Sequence, residues 1–240
     1  MIKFFRKIRQ NLLMDNKIRK YFKYAIGEIV LVVIGILIAL WINNKNEANK
    51  ERAIVRKMLI EYKMELAYNL EALDRRKKEV DSRASKCTTL LDQIENELPY
   101  ADTLSTYFNV LTLGLLDNGL SMTAFSAIEQ RGLNKISDDI LKNKIIDLHS
   151  EKYKILDLRT KNAMLNVSEY ARPIARHKLK YTENMKLVPL DYDALMGDVS
   201  TWNILKILHQ NYSEISYKIV NTQNEIQEVD DLINRYLKLK

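Results

Sequence analysis

The chain has 240 residues, a formal net charge of +7 and a single cysteine, Cys87. One cysteine excludes an intramolecular disulfide framework. Residues 1–28 hold eight Lys and Arg side chains against two acidic ones, a net of +6, which leaves the rest of the chain at +1. The basic excess therefore belongs to a short head suited to anionic lipid headgroups, and a nucleic-acid partner is not expected.

In chain order, Ile2, Phe5, Ile8 and Leu12 recur at helical spacing with Lys3, Arg6, Lys7, Arg9 and Gln10 between them. This predicts a basic amphipathic helix lying along a membrane surface, with Asp15 or Asn16 as a cap before the next segment. From Tyr24 to Ile42 the only charge is Glu28, and Ile29 to Ile42 contains no polar side chain. At about 1.5 Å of rise per residue such a run crosses the hydrocarbon core of a bilayer. Tyr21, Phe22 and Tyr24 at one end and Trp41 at the other suit the two interfaces. A cleavable signal peptide fits poorly, because more than twenty residues precede the run and no Ala-x-Ala site follows it. Three positions are candidates for a role in the membrane. Glu28 can pair with Lys20 or Lys23, whereas Gly35 and Ala39 form a small-xxx-small pair that permits close approach of a second helix.

The runs Met1 to Leu13 and Tyr24 to Leu40, with Ile42-Asn43-Asn44 after them, resemble the start of a family of uncharacterised single-pass membrane proteins of Bacteroidota. The likeness is close over roughly the first fifty residues and loose over Ala124 to Ser137. It implies an envelope protein and a motif that includes Glu28, and it supplies no activity and no site residue.

Beyond the span the helix is expected to continue. Leu59, Leu66, Leu73, Val80, Cys87 and Ile94 recur every seven residues, with Leu70, Ala84, Leu91 and Leu98 four positions after members of that series. This is a coiled-coil-like seam, expected to end at Pro99, with Cys87 as a buried small hydrophobe. Leu104 to Leu120, broken by Gly114 and Asp117-Asn118-Gly119, predicts a short helix and a turn. Ser121 or Thr123 is the expected cap of a helix that stops at Gly132 in a left-handed conformation. Ser137 or Asp138 then opens a helix of about thirty residues that buries Ile140, Leu141, Ile145, Leu148, Ile155, Leu158 and Leu165 and bends or ends at Pro173. After a connector with Pro189, Asp191, Asp193 and Gly197, the last helix opens near Asp198 or Ser200. Its apolar face alternates by three and four through Leu205, Leu208, Tyr212, Ile215, Ile219, Thr222, Ile226, Val229, Ile233 and Tyr236.

The expected fold is all-α. A head over 1–23 and a transmembrane helix over 24–42 lead into an elongated antiparallel helical bundle over 43–240. The six glycines form no phosphate-cradling loop, no Glu-x-x-His occurs, and His149, His177 and His209 lie far apart and are expected at the surface or its boundary. Catalytic, cofactor-binding and metal residues are accordingly expected to be none. The leading function is a non-enzymatic membrane scaffold or protein-interaction module of the bacterial envelope. It would be held in the inner membrane with a cytoplasmic N-terminus and a periplasmic body, alongside an unknown protein partner or a second copy of itself. The larger basic count of the head favours that orientation, although Lys45, Lys50, Arg52, Arg56 and Lys57 flank the other end. The alternatives are a sensory input domain acting through a partner and, third, an enzyme whose pocket is gathered from residues 121–137 and 186–200.

Overall fold

The structure is a computed structural model that describes residues 18–115 and 117–239. The expected head helix over residues 2–13 and its cap at Asp15 or Asn16 lie outside the described residues. The chain divides into two units, Met1–Val55 and Arg56–Lys240, so the unit boundary falls beyond residue 43, where the bundle was expected to begin.

The described residues are all-α apart from one small hairpin. The first helix, α1, is Ile18–Glu95. In the first unit its apolar run from Ile29 to Ile42 is exposed at every position. Among the described residues this is one helix long and apolar enough to cross a membrane, and none of its apolar window is buried.

In the second unit α1 buries Leu59, Leu66, Leu73, Val80 and Cys87, as the seven-residue series requires. The companion series is not the expected one. Of it only Leu91 is buried, while Leu70 and Ala84 are half-buried and Leu98 is exposed, and Ile94 at the end of the seam is half-buried too; other buried positions lie three residues after the seam, at Tyr62, Asn69, Arg76 and Leu90. The helix also stops earlier than expected, at Glu95. Leu98 donates its N–H to the Gln93 carbonyl (3.0 Å) and Glu97 takes a positive φ of 50°, a left-handed stop that Pro99 follows without causing.

Between Glu95 and residue 123 the expected short helix is replaced by two 3-10 turns, Asp102–Thr106 and Phe108–Leu111, and an irregular strap over residues 112–115 and 117–122. Leu104, Phe108, Val110, Leu111 and Leu115 drop into the core. Helix α2 (Thr123–Gly132) ends where Gly132 adopts φ 118°, as anticipated. Asp138 caps α3 (Asp139–Asp147) by accepting from the N–H groups of Ile140 and Leu141, both at 3.0 Å.

From α3 the chain stays helical through a π-turn at Leu148–Tyr153, α4 (Lys154–Asn166), a second π-turn at Val167–Ala171, and α5 (Arg172–Lys178). A π-turn bonds to the fifth carbonyl back instead of the fourth and so takes one residue more than an α-turn. The buried face consequently shifts by one position, from Leu141, Ile145 and Leu148 to Tyr153, Leu156, Thr160, Ala163 and Val167. That shift turns Leu158 and Leu165, expected inside, out to solvent, while Ile140 is exposed at the very start of α3. Pro173 does not end the helix, which runs on to Lys178. It sits in the first turn of α5 directly after the second π-turn, where its missing N–H is not needed.

The expected connector contains a hairpin, β1 (Leu179–Tyr181) with β2 (Leu187–Pro189), paired antiparallel with Lys180 opposite Val188. A short helix follows, α6 (Tyr192–Met196), whose Ala194 N–H donates to Asp191. The last helix, α7, is Val199–Leu239. All ten of its predicted seam residues, from Leu205 to Tyr236, are buried.

Polar cross-links give the register of the second unit. Lys63 pairs with Asp230, Ser216 donates to Asp81 and Lys206 pairs with Glu95, so α1 and α7 run antiparallel. Arg56 donates to the Leu237 carbonyl (3.1 Å) at the end of α7, where a cation suits the helix dipole. Lys144 pairs with Glu225 and Glu228, and Arg159 with Glu214, which makes α3–α4 antiparallel to α7 as well.

The shifted register has a direct check. Leu156→Ala is expected to cost about 2–5 kcal/mol and Leu158→Ala less than about 0.5 kcal/mol. Chemical unfolding of the two variants, followed by circular dichroism, would show the reverse order if the helix kept an unbroken 3.6-residue period.

Candidate functional site

The polar residues buried on α1 share a single task. Arg83 donates to the carbonyls of Leu113 (2.6 Å) and Gly114 (3.3 Å), Arg76 to that of Asp117, and Asn69 Nδ2 to that of Ser121 (3.0 Å). The Ser121 N–H returns a bond to Asn69 Oδ1 at 2.7 Å. One helical turn further, Glu65 accepts from the N–H groups of Ala124 (2.7 Å) and Phe125 (3.2 Å) and from the Ser121 hydroxyl (2.9 Å). The first turn of α2 is therefore capped by a carboxylate from another helix. The expected caps do not serve: Ser121 donates to Glu65, and no side chain of the local segment caps α2. From the opposite side, Arg172 donates to the Thr112 carbonyl (3.0 Å) and Thr160 to the buried Asn118 side chain (3.1 Å).

Beneath the strap lies an aromatic cluster centred on His149. The first π-turn carries both His149 and Tyr153 into the interior. The imidazole stacks on Phe125 with centroids 3.6 Å apart and planes 8° from parallel, while Tyr153 meets it edge-on at 4.8 Å. Its Nε2 lies 2.8 Å from the Tyr62 hydroxyl and its Nδ1 3.3 Å from the Met122 sulfur. Asn69 joins the cluster to the strap by donating to the Tyr153 hydroxyl at 3.1 Å. His149 is thus a core residue and not the surface or boundary residue expected, whereas His177 is exposed and His209 half-buried.

Burial holds this cluster in its uncharged forms. It lowers the His149 pKa to about 4 and raises those of Tyr62 and Tyr153, for Tyr62 with the help of the Tyr153 and Glu65 charges. Cys87, deep in the α1 seam, is pushed up to about 12 by the same cause and is an inert thiol. A neutral imidazole sandwiched between rings and bonded to a tyrosine hydroxyl orients and packs; it is poorly placed to exchange protons near neutral pH.

Two clefts open on the loops considered as a third possibility. One, of about 440 Å³, lies between strap residues Asp117–Met122 and His149, Tyr153 and Lys154. The other, of about 750 Å³, separates the end of α1 from the α6–α7 junction and includes Gln93, Leu98, Tyr192 and Trp202. The Tyr192 hydroxyl spans its base, donating to Gln93 (3.3 Å) and to the Leu98 carbonyl (3.1 Å).

The membrane candidates lie in the first unit. Glu28 is half-buried on its helix, and Gly35 and Ala39 are exposed. A Cβ added at Gly35 would meet no atom within 4 Å, so this surface is uncovered within the chain.

The model of a family described as a family of unknown function (DUF6090) matches residues 28–102. The matched stretch begins at Glu28, takes in the apolar run and the whole α1 ladder of Glu65, Asn69, Arg76 and Arg83, and stops short of Ala124 to Ser137. No curated protein and no solved structure matches the chain.

Glu65→Ala is expected to destabilise the second unit by about 1–3 kcal/mol and to speed amide exchange at Ala124 and Phe125, with Glu65→Gln milder on both counts. Unaltered exchange at those two amides would rule out the cross-helix cap.

The His149 shift predicts a pH dependence. The folded pKa of about 4 lies below the ordinary 6.5, so the unfolded chain takes up this proton first as pH falls. Stability due to His149 is complete above that ordinary value and declines towards the folded one. Melting temperatures recorded across this window should fall more steeply for the wild type than for His149→Gln; parallel curves would contradict the assignment.

Proposed function

We propose that the chain is a membrane-anchored helical scaffold of a bacterial envelope, whose second unit binds a partner protein. The observation that carries this reading is the run Ile29–Ile42, exposed at every position. Soluble proteins rarely expose contiguous apolar patches beyond a few hundred Å², and hydrocarbon is the solvent that suits such a surface. Trp41 with Lys45 5.1 Å over its ring supports an interfacial anchor at that end of the run.

The finer placement rests on the sequence. The resemblance to single-pass proteins of Bacteroidota and the eight basic residues among 1–28 support a single pass through the inner membrane with a cytoplasmic N-terminus and a periplasmic body. A scaffold is favoured over a catalyst because the gathered titratable groups, His149, Tyr62 and Tyr153, are held uncharged and bonded to one another. The open faces of Gly35 and Ala39 support self-association as a second mode of partnership. The cleft of about 750 Å³ at the end of α1 favours the sensory alternative, since it falls in the size range of ligand pockets.

The test combines alkaline extraction of membranes, protease treatment of intact spheroplasts bearing a C-terminal tag, and crosslinking in the native membrane. The expected result is retention in the membrane pellet, digestion of the tag and one discrete crosslinked adduct. Release by alkali would remove the anchor, a protected tag would reverse the orientation, and the lack of any adduct would count against a scaffold.

A further inference from the structure

We infer that the tip of the β1–β2 hairpin binds the surface of an anionic lipid bilayer. Residues 172–190 hold five Lys and Arg side chains against one acidic residue, Glu183. Residues 29–240 carry +1 in all, so the +4 of this segment stands against −3 for the remainder. Two of the five cations are used by the fold: Lys178 pairs with Asp198 at 2.6 Å, and Arg172 donates to the Thr112 carbonyl. Arg176, Lys180 and Lys186 are exposed and form no ion pair among the described residues.

The strand register sets two of these free cations together. Lys180 stands opposite Val188, and Lys186 precedes Val188 by two residues, so both lysines belong to one face of the hairpin. Diagonal cross-strand neighbours of this kind are about 7–8 Å apart, within reach of each other for long side chains. Two like charges so placed, with no carboxylate between them, contribute nothing to the hairpin and are suited to a layer of negative charge.

The shape and apolar content of the tip favour a bilayer over other acidic partners. Thr182 closes the loop: its N–H donates to the Lys186 carbonyl (2.8 Å), its carbonyl accepts from the Met185 N–H (2.9 Å) and its hydroxyl from the Lys186 N–H (3.1 Å). Met185 is thereby held at φ 58°, a left-handed conformation that glycine or asparagine adopts at less cost, with its side chain 75% exposed. Residues 183–186 are exposed at every position, so the tip projects from the unit. Tyr181, 56% exposed, stands beside Lys180 behind this apolar apex. That order follows the depth profile of a bilayer interface, with Met185 at the acyl boundary, Tyr181 at the headgroups and the lysine ammonium groups on the phosphates. An acidic protein surface would match the lysines and leave the methionine and the tyrosine without an apolar counterpart.

The test places the full chain in nanodiscs of phosphatidylcholine and follows flotation with added vesicles, either of equal parts phosphatidylglycerol and phosphatidylcholine or of phosphatidylcholine alone. The expected result is co-flotation with the anionic vesicles only, with roughly tenfold weaker binding both in the double variant Lys180→Glu, Lys186→Glu and in Met185→Gly. Glycine relieves the left-handed backbone, so the melting temperature of Met185→Gly should equal or exceed that of the wild type, which separates lost binding from lost folding. Equal flotation of the wild type and both variants would assign the attraction to the basic head and overturn the proposal, as would flotation with neither vesicle. Weakened binding in the lysine variant with Met185→Gly unaffected would mark a purely electrostatic contact, of the kind an acidic protein makes, and would overturn the bilayer as the partner.

Discussion

The second unit depends on a match between two pitches. Seven residues of an α-helix advance about 10.5 Å, and about three residues of extended chain advance the same distance. Arg83, Arg76 and Asn69 are spaced by seven along α1, and they bond to the strap at Leu113–Gly114, Asp117 and Ser121 in turn. The slack between Asp117 and Ser121 is taken up where the Gly119 N–H folds back onto the Asp117 side chain, with Gly119 at φ 64°. An irregular segment without ladder bonds of its own thus has several of its carbonyls satisfied by a neighbouring helix. Glu65 completes the series by supplying the charge that starts α2.

This arrangement explains why α1 is not a simple coiled coil. In a two-stranded seam the companion positions would be apolar, and polar residues there would cost stability. Here Asn69 and Arg76 are buried because the strap covers them, and each bonds to its backbone. The strap in turn closes over the His149 cluster, so the packing of Phe125 and Tyr153 against the imidazole and the capping of α2 belong to one cooperative unit. Removing a single polar side chain from α1 would uncover aromatic core as well as break a hydrogen bond.

How much of this was legible in the sequence depends on whether the relevant face was apolar and its period unbroken. The ten seam residues of α7 and the Leu59-to-Cys87 series on α1 satisfy both conditions and lie inside as read. The positions three residues after the α1 seam satisfy only the second, since Asn69, Arg76 and Arg83 look like solvated residues unless their shared seven-residue spacing is noticed. Leu158 and Leu165 fail the first condition's converse: they are apolar and helical in spacing, but a π-turn of six residues upstream rotates them outward. Nothing local announces that turn, which carries His149 and Tyr153 into the core. The hairpin at 179–189 was missed for a related reason, as two three-residue strands are too short to display a period of two.

The polar residues of α1 differ in setting from those that line the groove between α4 and α7, Asn162, Asn166 and Asn211 among them. Those on α1 are consumed by the fold, bonded to a strap that would otherwise leave backbone carbonyls unpaired. The amides of the groove have no such segment over them, and one of their nitrogens is buried without an acceptor. Satisfaction on the α1 face is itself incomplete, because Arg76 bonds to the strap and to Glu79 while its Nε is buried without a partner. An unsatisfied buried donor works against stability, and since one stands on each face, at Arg76 Nε and at Asn211 Nδ2, it is a cost that the packing of the second unit carries on both faces alike.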